Sequence, residues 1–172
     1  MQQLLRVFWD IAFFRRGPRD VPASWLLLAA VAVVYAATSA LQSLLLFGPP
    51  LAVVRGLADL ALTAAVFWIA LALRRRGHRF LQTLTAMLGT GTLLSVPMIV
   101  MLIVRRELAD AGAVALLLSV ASVPLLVWYL FVVGHIVRHA LEVPLFTGMA
   151  VAMTYIVLGY LLIEQLPAGA AA

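Results

Sequence analysis

Long apolar runs alternate with short charged segments along this chain. Between Asp20 and Arg55 no side chain is charged, and two prolines, Pro49 and Pro50, close that run. A helix of about 20 mostly apolar residues crosses the hydrocarbon core of a bilayer. The pattern therefore predicts an all-α fold, an integral membrane helical bundle with five transmembrane helices. The predicted spans cover residues 24–47, 51–73, 81–104, 113–134 and 145–163.

The second predicted span carries two charged residues near its start. Its uncharged stretch, residues 60–73, holds 14 residues and as a helix reaches only about 21 Å. The helix must therefore begin near Leu51 and carry Arg55 and Asp59 into the headgroup region or just below it. Their spacing of four residues places both on one helix face, where they can form an intramembrane ion pair.

Two interpretations of Arg55 and Asp59 stay open. Ionisable residues at membrane depth are expensive and by default mark a functional site. In the first interpretation, the two side chains simply neutralise each other close to the interface. The second is passage of an ion or a proton, which an Asp59 without a basic partner would favour.

The first 20 residues predict a short amphipathic helix that lies in the cytoplasmic interface of the membrane. Apolar residues recur there at helical spacing, with Arg6 and Asp10 on the opposite side, and Gly17-Pro18 ends the pattern. The alternative is a frayed segment. The apolar positions are Leu4, Val7, Phe8 and Ile11, with Phe14 extending the face. The chain thus divides into residues 1–20, a membrane domain of residues 21–164, and a flexible Ala- and Gly-rich tail of residues 165–172.

Composition excludes a soluble domain. Of the 172 residues, 65% are hydrophobic and only 11% are charged, whereas about a quarter of the residues of a soluble domain are charged. The chain has no cysteine, which excludes disulfides and thiolate metal ligands. It also contains none of the common catalytic or phosphate-binding motifs. We therefore predict no catalytic residues, no cofactor and no enzymatic activity.

The formal charge of +5 reflects membrane topology rather than nucleic-acid binding. Nine of the twelve arginines lie in segments that the five spans place on one side, and three lie on the other. Because positive charge marks cytoplasmic segments, the N-terminus is predicted in the cytoplasm and the C-terminus in the periplasm. The nine are Arg6, Arg15, Arg16, Arg19, Arg74, Arg75, Arg76, Arg79 and Arg138, and the three are Arg55, Arg105 and Arg106.

Two further patterns in the sequence are relevant to ligand binding and helix packing. His135, His139 and Glu142 follow at intervals of four and three residues, so a helix would place them on one side as weak candidate metal ligands. This spacing is common by chance and Arg138 can pair with Glu142, so we expect no metal site. In the third span, Thr85, Gly89 and Thr92 form a small-residue face, which predicts helix packing within the chain.

The layout resembles that of the Yip family (Ypt/Rab-interacting membrane proteins), particularly its small bacterial members. The resemblance rests on the amphipathic N-terminus running into Gly17-Pro18 and on five spans with the N-terminus inside. It also rests on a basic loop with Gly77 and Phe80 before a span that contains Pro97, and on the stretch from Trp128 to Ala140. The family's eukaryotic members are associated with small GTPases and vesicle membranes. The resemblance therefore implies contact with a protein partner at the membrane.

Together these features lead us to expect a membrane adaptor or accessory subunit without catalysis. Membrane lipids and a protein partner are the expected contacts, a homo-oligomer is an open option, and no nucleic acid is expected. Arg74, Arg75, Arg76 and Arg79 are the candidates for lipid-headgroup or partner contact. The alternative is a small transporter, or an ion or proton channel, that uses Arg55 and Asp59. A chain without lysine or asparagine but rich in arginine and alanine is typical of a GC-rich bacterium, which places the protein in the inner membrane.

Overall fold

A computed structural model describes residues 2–49, 51–108 and 112–165, and in these ranges the chain forms helices and no strand. Five of the helices, α2 to α6, are long and apolar enough to cross a membrane, so the described chain is that of a multi-pass helical membrane protein. The helices are α1 (Gln2–Ala12), α2 (Trp25–Phe47), α3 (Ala52–Leu73), α4 (Phe80–Glu107), α5 (Gly112–Leu141) and α6 (Leu145–Gln165). Beyond Gln165, the predicted tail lies outside the described residues.

The observed helix bounds agree with the predicted spans to within a few residues, except at the end of α5. That helix was predicted to end at residue 134, yet it continues to Leu141. No helix-breaking residue occurs until Pro144, and the added turns bury Ile136, Val137 and Ala140. His135 and His139 therefore lie on a helix and not, as the predicted span implied, in a loop.

Helix α1 forms as predicted, but its apolar face packs against the bundle. Val7, Phe8 and Ile11 are buried in the main core. The Phe8 ring lies directly over Gly89 of α4, where an added Cβ would come within 2.5 Å of it. Nε1 of Trp128 donates a hydrogen bond to the carbonyl oxygen of Ala12 over 3.0 Å. The small-residue position in α4 thus provides packing within the chain, with α1 as its partner.

The helices α2, α3 and α4 pack on one another, and α5 packs mainly on α6 and α4. Buried residues are concentrated in the first turns of α4 and the last turns of α5. Near these turns lie the Pro18–Asp20 turn, the α3–α4 loop and the α5–α6 loop, which we call the arginine end of the bundle. Most of the outward side chains of α2 to α6 are large and apolar and remain exposed, as expected of surfaces that face lipid.

Candidate functional site

Asp59 lies in the second turn of α3, where its carboxylate faces α2. The hydroxyl of Tyr35 donates a hydrogen bond to Oδ2 of Asp59 over 2.8 Å, and Oγ of Ser39 donates to the same oxygen over 2.7 Å. Tyr35 and Ser39 are four residues apart, so they share one face of α2. Two hydroxyl donors therefore hold one carboxylate oxygen inside the bundle.

Gly56 brings α3 close enough to α2 for these hydrogen bonds to form. A Cβ at Gly56 would lie 2.7 Å from the backbone nitrogen of Ala40 and 2.8 Å from the carbonyl oxygen of Ala36. These are backbone atoms, which cannot move aside as a flexible side chain can. A glycine three residues before Asp59 thus sets the distance that the hydroxyl groups of α2 must bridge.

The hydroxyl network continues from Asp59 to α6. Oγ1 of Thr63 donates to the carbonyl oxygen of Asp59 over 2.8 Å and lies 2.9 Å from the hydroxyl of Tyr155. The ring of Tyr155 also packs edge-on against Phe67, with 5.9 Å between the ring centroids. Three helices, α2, α3 and α6, are therefore joined through hydroxyl groups around one carboxylate.

A cavity of about 270 Å³ lies beside this network between the helices. Its wall includes Asp59 together with the polar side chains of Gln42, Ser43 and Ser95. It extends to Phe47 at the last turn of α2, away from the arginine end. Asp59 is the one charged residue on the wall, within the described part of the chain. A carboxylate, hydroxyl groups and an amide are thus available to a ligand in this cavity.

Among the contacts of the described residues, the ion pair predicted between Arg55 and Asp59 does not occur. Asp59 is engaged by the hydroxyl groups of α2, and the guanidinium of the buried Arg55 lies over the ring of Phe47, with 4.6 Å from Cζ to the centroid. The ion pairs between described residues lie elsewhere in the chain. Arg55 and Asp59 do lie on one helix, as predicted. Contacts with α2, however, determine the partner of each side chain.

At the arginine end, Glu142 joins three segments that are far apart in sequence. Its carboxylate contacts Arg19 after α1 and two arginines of the α3–α4 loop, Arg76 at 2.5 Å and Arg79 at 2.8 Å. The expected partner, Arg138, is not among these contacts. Hydrogen bonds from Arg76 and Arg79 lower the pKa of Glu142 from 4.5 to about 2, and the same carboxylate raises the pKa of Arg76.

The four arginines predicted to contact lipid or a partner differ in their surroundings. Arg76 and Arg79 turn toward Glu142, whereas Arg74 and Arg75 are exposed. Contact with lipid headgroups stays a prediction for all four, and the exposed Arg74 and Arg75 are the more accessible for it.

The histidines predicted as weak metal candidates make other contacts. Nε2 of His135 donates to the carbonyl oxygen of Arg16, and Nδ1 of His139 donates to that of His135, both over 2.9 Å. The carboxylate of Glu142 is engaged by arginines. Within residues 2–49, 51–108 and 112–165, no three potential metal ligands come together. His135 thus connects α5 to the segment that follows α1, whereas the hydrogen bond of His139 stays within α5.

The Glu142 cluster predicts a pH dependence of stability. A carboxyl group whose pKa is lower in the folded protein stabilises it above the unfolded-state pKa, here 4.5, and this stabilisation is lost as the pH falls to about 2. We therefore expect Tm, followed by tryptophan fluorescence in detergent, to fall from pH 4.5 to pH 2. Glu142→Gln should lower Tm at neutral pH and reduce the acid-induced fall.

Glu107→Gln, at the exposed end of α4, is the control and should keep the wild-type pH profile. The contribution of Glu142 should shrink in high salt, because its carboxylate is partly exposed and charge interactions there are screened. If Tm fell by the same amount between pH 4.5 and pH 2 in wild type and in Glu142→Gln, this role of Glu142 would be contradicted.

Comparison with protein-family models, with curated proteins and with solved structures gives no match to this chain. The fold and the site therefore define its class by themselves. It is a multi-pass helical membrane protein in which a carboxylate is held by hydroxyl groups beside a cavity between the helices.

Proposed function

We propose that this protein is a small transporter or channel that binds its solute in the cavity beside Asp59. The observation that carries the proposal is the placement of this carboxylate: it borders a cavity of about 270 Å³ and is held by Tyr35 and Ser39 rather than by an arginine. An acidic residue between membrane-spanning helices is costly and is retained where it serves a solute or proton pathway.

Electrostatics support a positively charged solute. A carboxylate that leaves water loses hydration energy, and hydrogen bonds from two hydroxyl groups recover only part of it. A cation or a proton in the cavity supplies the missing charge compensation. The described residues of the wall include no arginine or histidine, so the positive charge that compensates Asp59 is left to a ligand.

The arginines support an orientation for this pathway. The Glu142 cluster gathers Arg19, Arg76 and Arg79 at one end of the bundle, and an excess of arginine marks the cytoplasmic side. We place this end in the cytoplasm of a bacterium, with α1 at the inner-membrane interface. The cavity then extends toward the periplasmic side.

Flux through proteoliposomes tests the proposal. Asp59→Asn keeps the shape of the side chain and an oxygen that accepts from Tyr35 and Ser39, but removes the charge. We expect this variant to lose most of the cation or proton flux of the wild type while keeping its circular dichroism and elution profile. Glu107→Gln is the matched control and should keep the flux. Wild-type liposomes without flux for any tested cation, or unchanged flux in Asp59→Asn, would overturn the proposal.

A second candidate is the Yip-type adaptor, favoured by the exposed side of α1. Leu5, Trp9 and Phe13 are spaced four residues apart and are 57%, 53% and 40% exposed, while the other apolar face of α1 is buried in the bundle. Such a ridge suits contact with a partner in the membrane. This role predicts a stoichiometric protein that co-purifies in mild detergent at native expression and is lost in Trp9→Ala; recovery of the chain alone would overturn it.

A further inference from the structure

We propose that the solute of this cavity is a small organic cation of the alkylammonium class, such as a quaternary ammonium compound. This inference rests on the proposed function and names its substrate class. It joins two features of the wall, one carboxylate and a set of tyrosine rings, which together are the groups that recognise an ammonium ion bearing carbon substituents.

The tyrosines are the first of these features. The sequence has four tyrosines, and all four line this cavity, although they come from three different helices. Tyrosine in membrane proteins is usually found in belts at the two interfaces, but Tyr35 and Tyr155 are buried in the bundle. The four are Tyr35 from α2, Tyr129 from α5, and Tyr155 and Tyr160 from α6.

The charge of the wall is the second feature. Asp59 supplies one negative charge, and the nearby Arg55 lies against the ring of Phe47 and is not part of the described wall. Among the described residues of the wall, an anion would meet a carboxylate and no arginine, so anionic solutes are disfavoured. A tyrosine ring presents a negative face to a cation, and this attraction strengthens where water is excluded.

The apolar part of the wall favours an organic cation over an inorganic one. Inorganic cations are bound through a shell of oxygen ligands, and the wall carries hydroxyl, amide and carboxylate oxygens. Apolar side chains such as Leu94, Met98 and Ile156 nevertheless make up much of it. Apolar walls suit methyl or methylene groups around a positive nitrogen. The volume of about 270 Å³ lies just below the roughly 300–1,000 Å³ of pockets for drug-sized ligands, so a small organic cation fits within it.

Calorimetry on the purified full-length protein in detergent tests this inference with a matched pair of probes. Choline carries the quaternary ammonium group, and neohexanol is its neutral carbon analogue of the same shape. We expect choline to bind at least about tenfold more tightly than neohexanol, because only choline gains from the carboxylate and the ring faces. Equal affinity for the two probes, or no binding of choline, would overturn the inference.

Variants separate the carboxylate from the rings. Asp59→Asn should weaken choline binding by about tenfold or more and leave neohexanol unchanged. Tyr160 is 62% exposed, so its substitution does not disturb the core. Tyr160→Leu should weaken choline binding by about two- to fivefold, whereas Tyr160→Phe, which keeps the ring, should retain it. Equal losses in both Tyr160 variants would overturn the role of the ring at that position.

The inference and the proposed function fail in different ways. If an inorganic cation or a proton crosses the liposomes and choline neither binds nor competes, the cavity is a transport site and the organic-cation assignment is wrong. If choline binds with the expected dependence on Asp59 but nothing crosses the membrane, the ligand class stands and transport is wrong.

Discussion

Phe8→Ala is expected to lower the free energy of unfolding by about 3–5 kcal/mol, the usual cost of deleting a buried phenylalanine ring. The Phe8 side chain is only 5% exposed, and its ring fills the space left by Gly89 in α4. Removing the ring leaves a cavity between α1 and α4 that neither backbone can close. Chemical unfolding in mixed micelles, followed by tryptophan fluorescence, measures the loss.

Two controls identify the contact with Gly89 as the cause. Trp9→Ala changes the adjacent residue, whose side chain is 53% exposed, and should cost at most about 1 kcal/mol. Gly89→Ala places a methyl group against the Phe8 ring, so it should be costly alone and less costly in combination with Phe8→Ala. Additive effects of the two substitutions, or an equal loss in Trp9→Ala, would contradict this packing of α1.

Gly56→Ala is expected to lower the free energy of unfolding by about 1–3 kcal/mol, the usual cost of overpacking. The new methyl group would lie within 2.8 Å of backbone atoms of Ala36 and Ala40, so α2 and α3 must separate. The same movement lengthens the hydrogen bonds from Tyr35 and Ser39 to Asp59. We therefore expect weaker choline binding together with the loss of stability, both measured on one preparation.

Gly112→Ala is the matched control for this substitution. Gly112 also lies in a helix, but a Cβ there meets no atom of the described residues within 4 Å. It should leave stability and choline binding close to wild type. A Gly56→Ala protein with wild-type stability would show that the two helices do not depend on their close approach at this glycine.

The membrane spans were predictable because each one corresponds to a continuous apolar stretch of the sequence. A run of apolar residues and its length decide whether a helix can cross a bilayer, and both are read without knowing any neighbour. The start of α2 illustrates this locality, since Oγ of Ser24 accepts a hydrogen bond from the backbone nitrogen of Leu27. The prediction is wrong at the end of α5, where the helix continues through the polar His135 and Arg138 to Leu141.

The candidate site was predicted only in part, because its partners come from different helices. The sequence places Asp59 within a predicted span, and the structure has it in α3, but Arg55, the partner expected from spacing along one helix, lies over the ring of Phe47. The hydroxyl groups of Tyr35 and Ser39 lie one helix away and reach Asp59 across the close approach at Gly56. Their spacing of four residues on an apolar helix was the available signal, yet nothing local indicated which helix they face.

Glu142 shows the same limit at the arginine end. Spacing along the chain indicated Arg138 and two histidines as neighbours of Glu142. In the structure, Arg19, Arg76 and Arg79 reach the carboxylate from distant segments instead. Charge attraction depends on distance in space and not on separation along the chain. The loops that meet at this end are therefore known only from the way in which the helices pack.

The sequence by itself determined that the chain is helical, that five helices suit a membrane, and that α1 is amphipathic, because hydrophobicity and helical periodicity are local properties. Only the tertiary structure decided that α1 buries its apolar face on Gly89, that Asp59 is held by α2, and that all four tyrosines line one cavity. These contacts arise because small residues let particular helices approach closely. Which helices become neighbours is determined by the packing of the whole bundle.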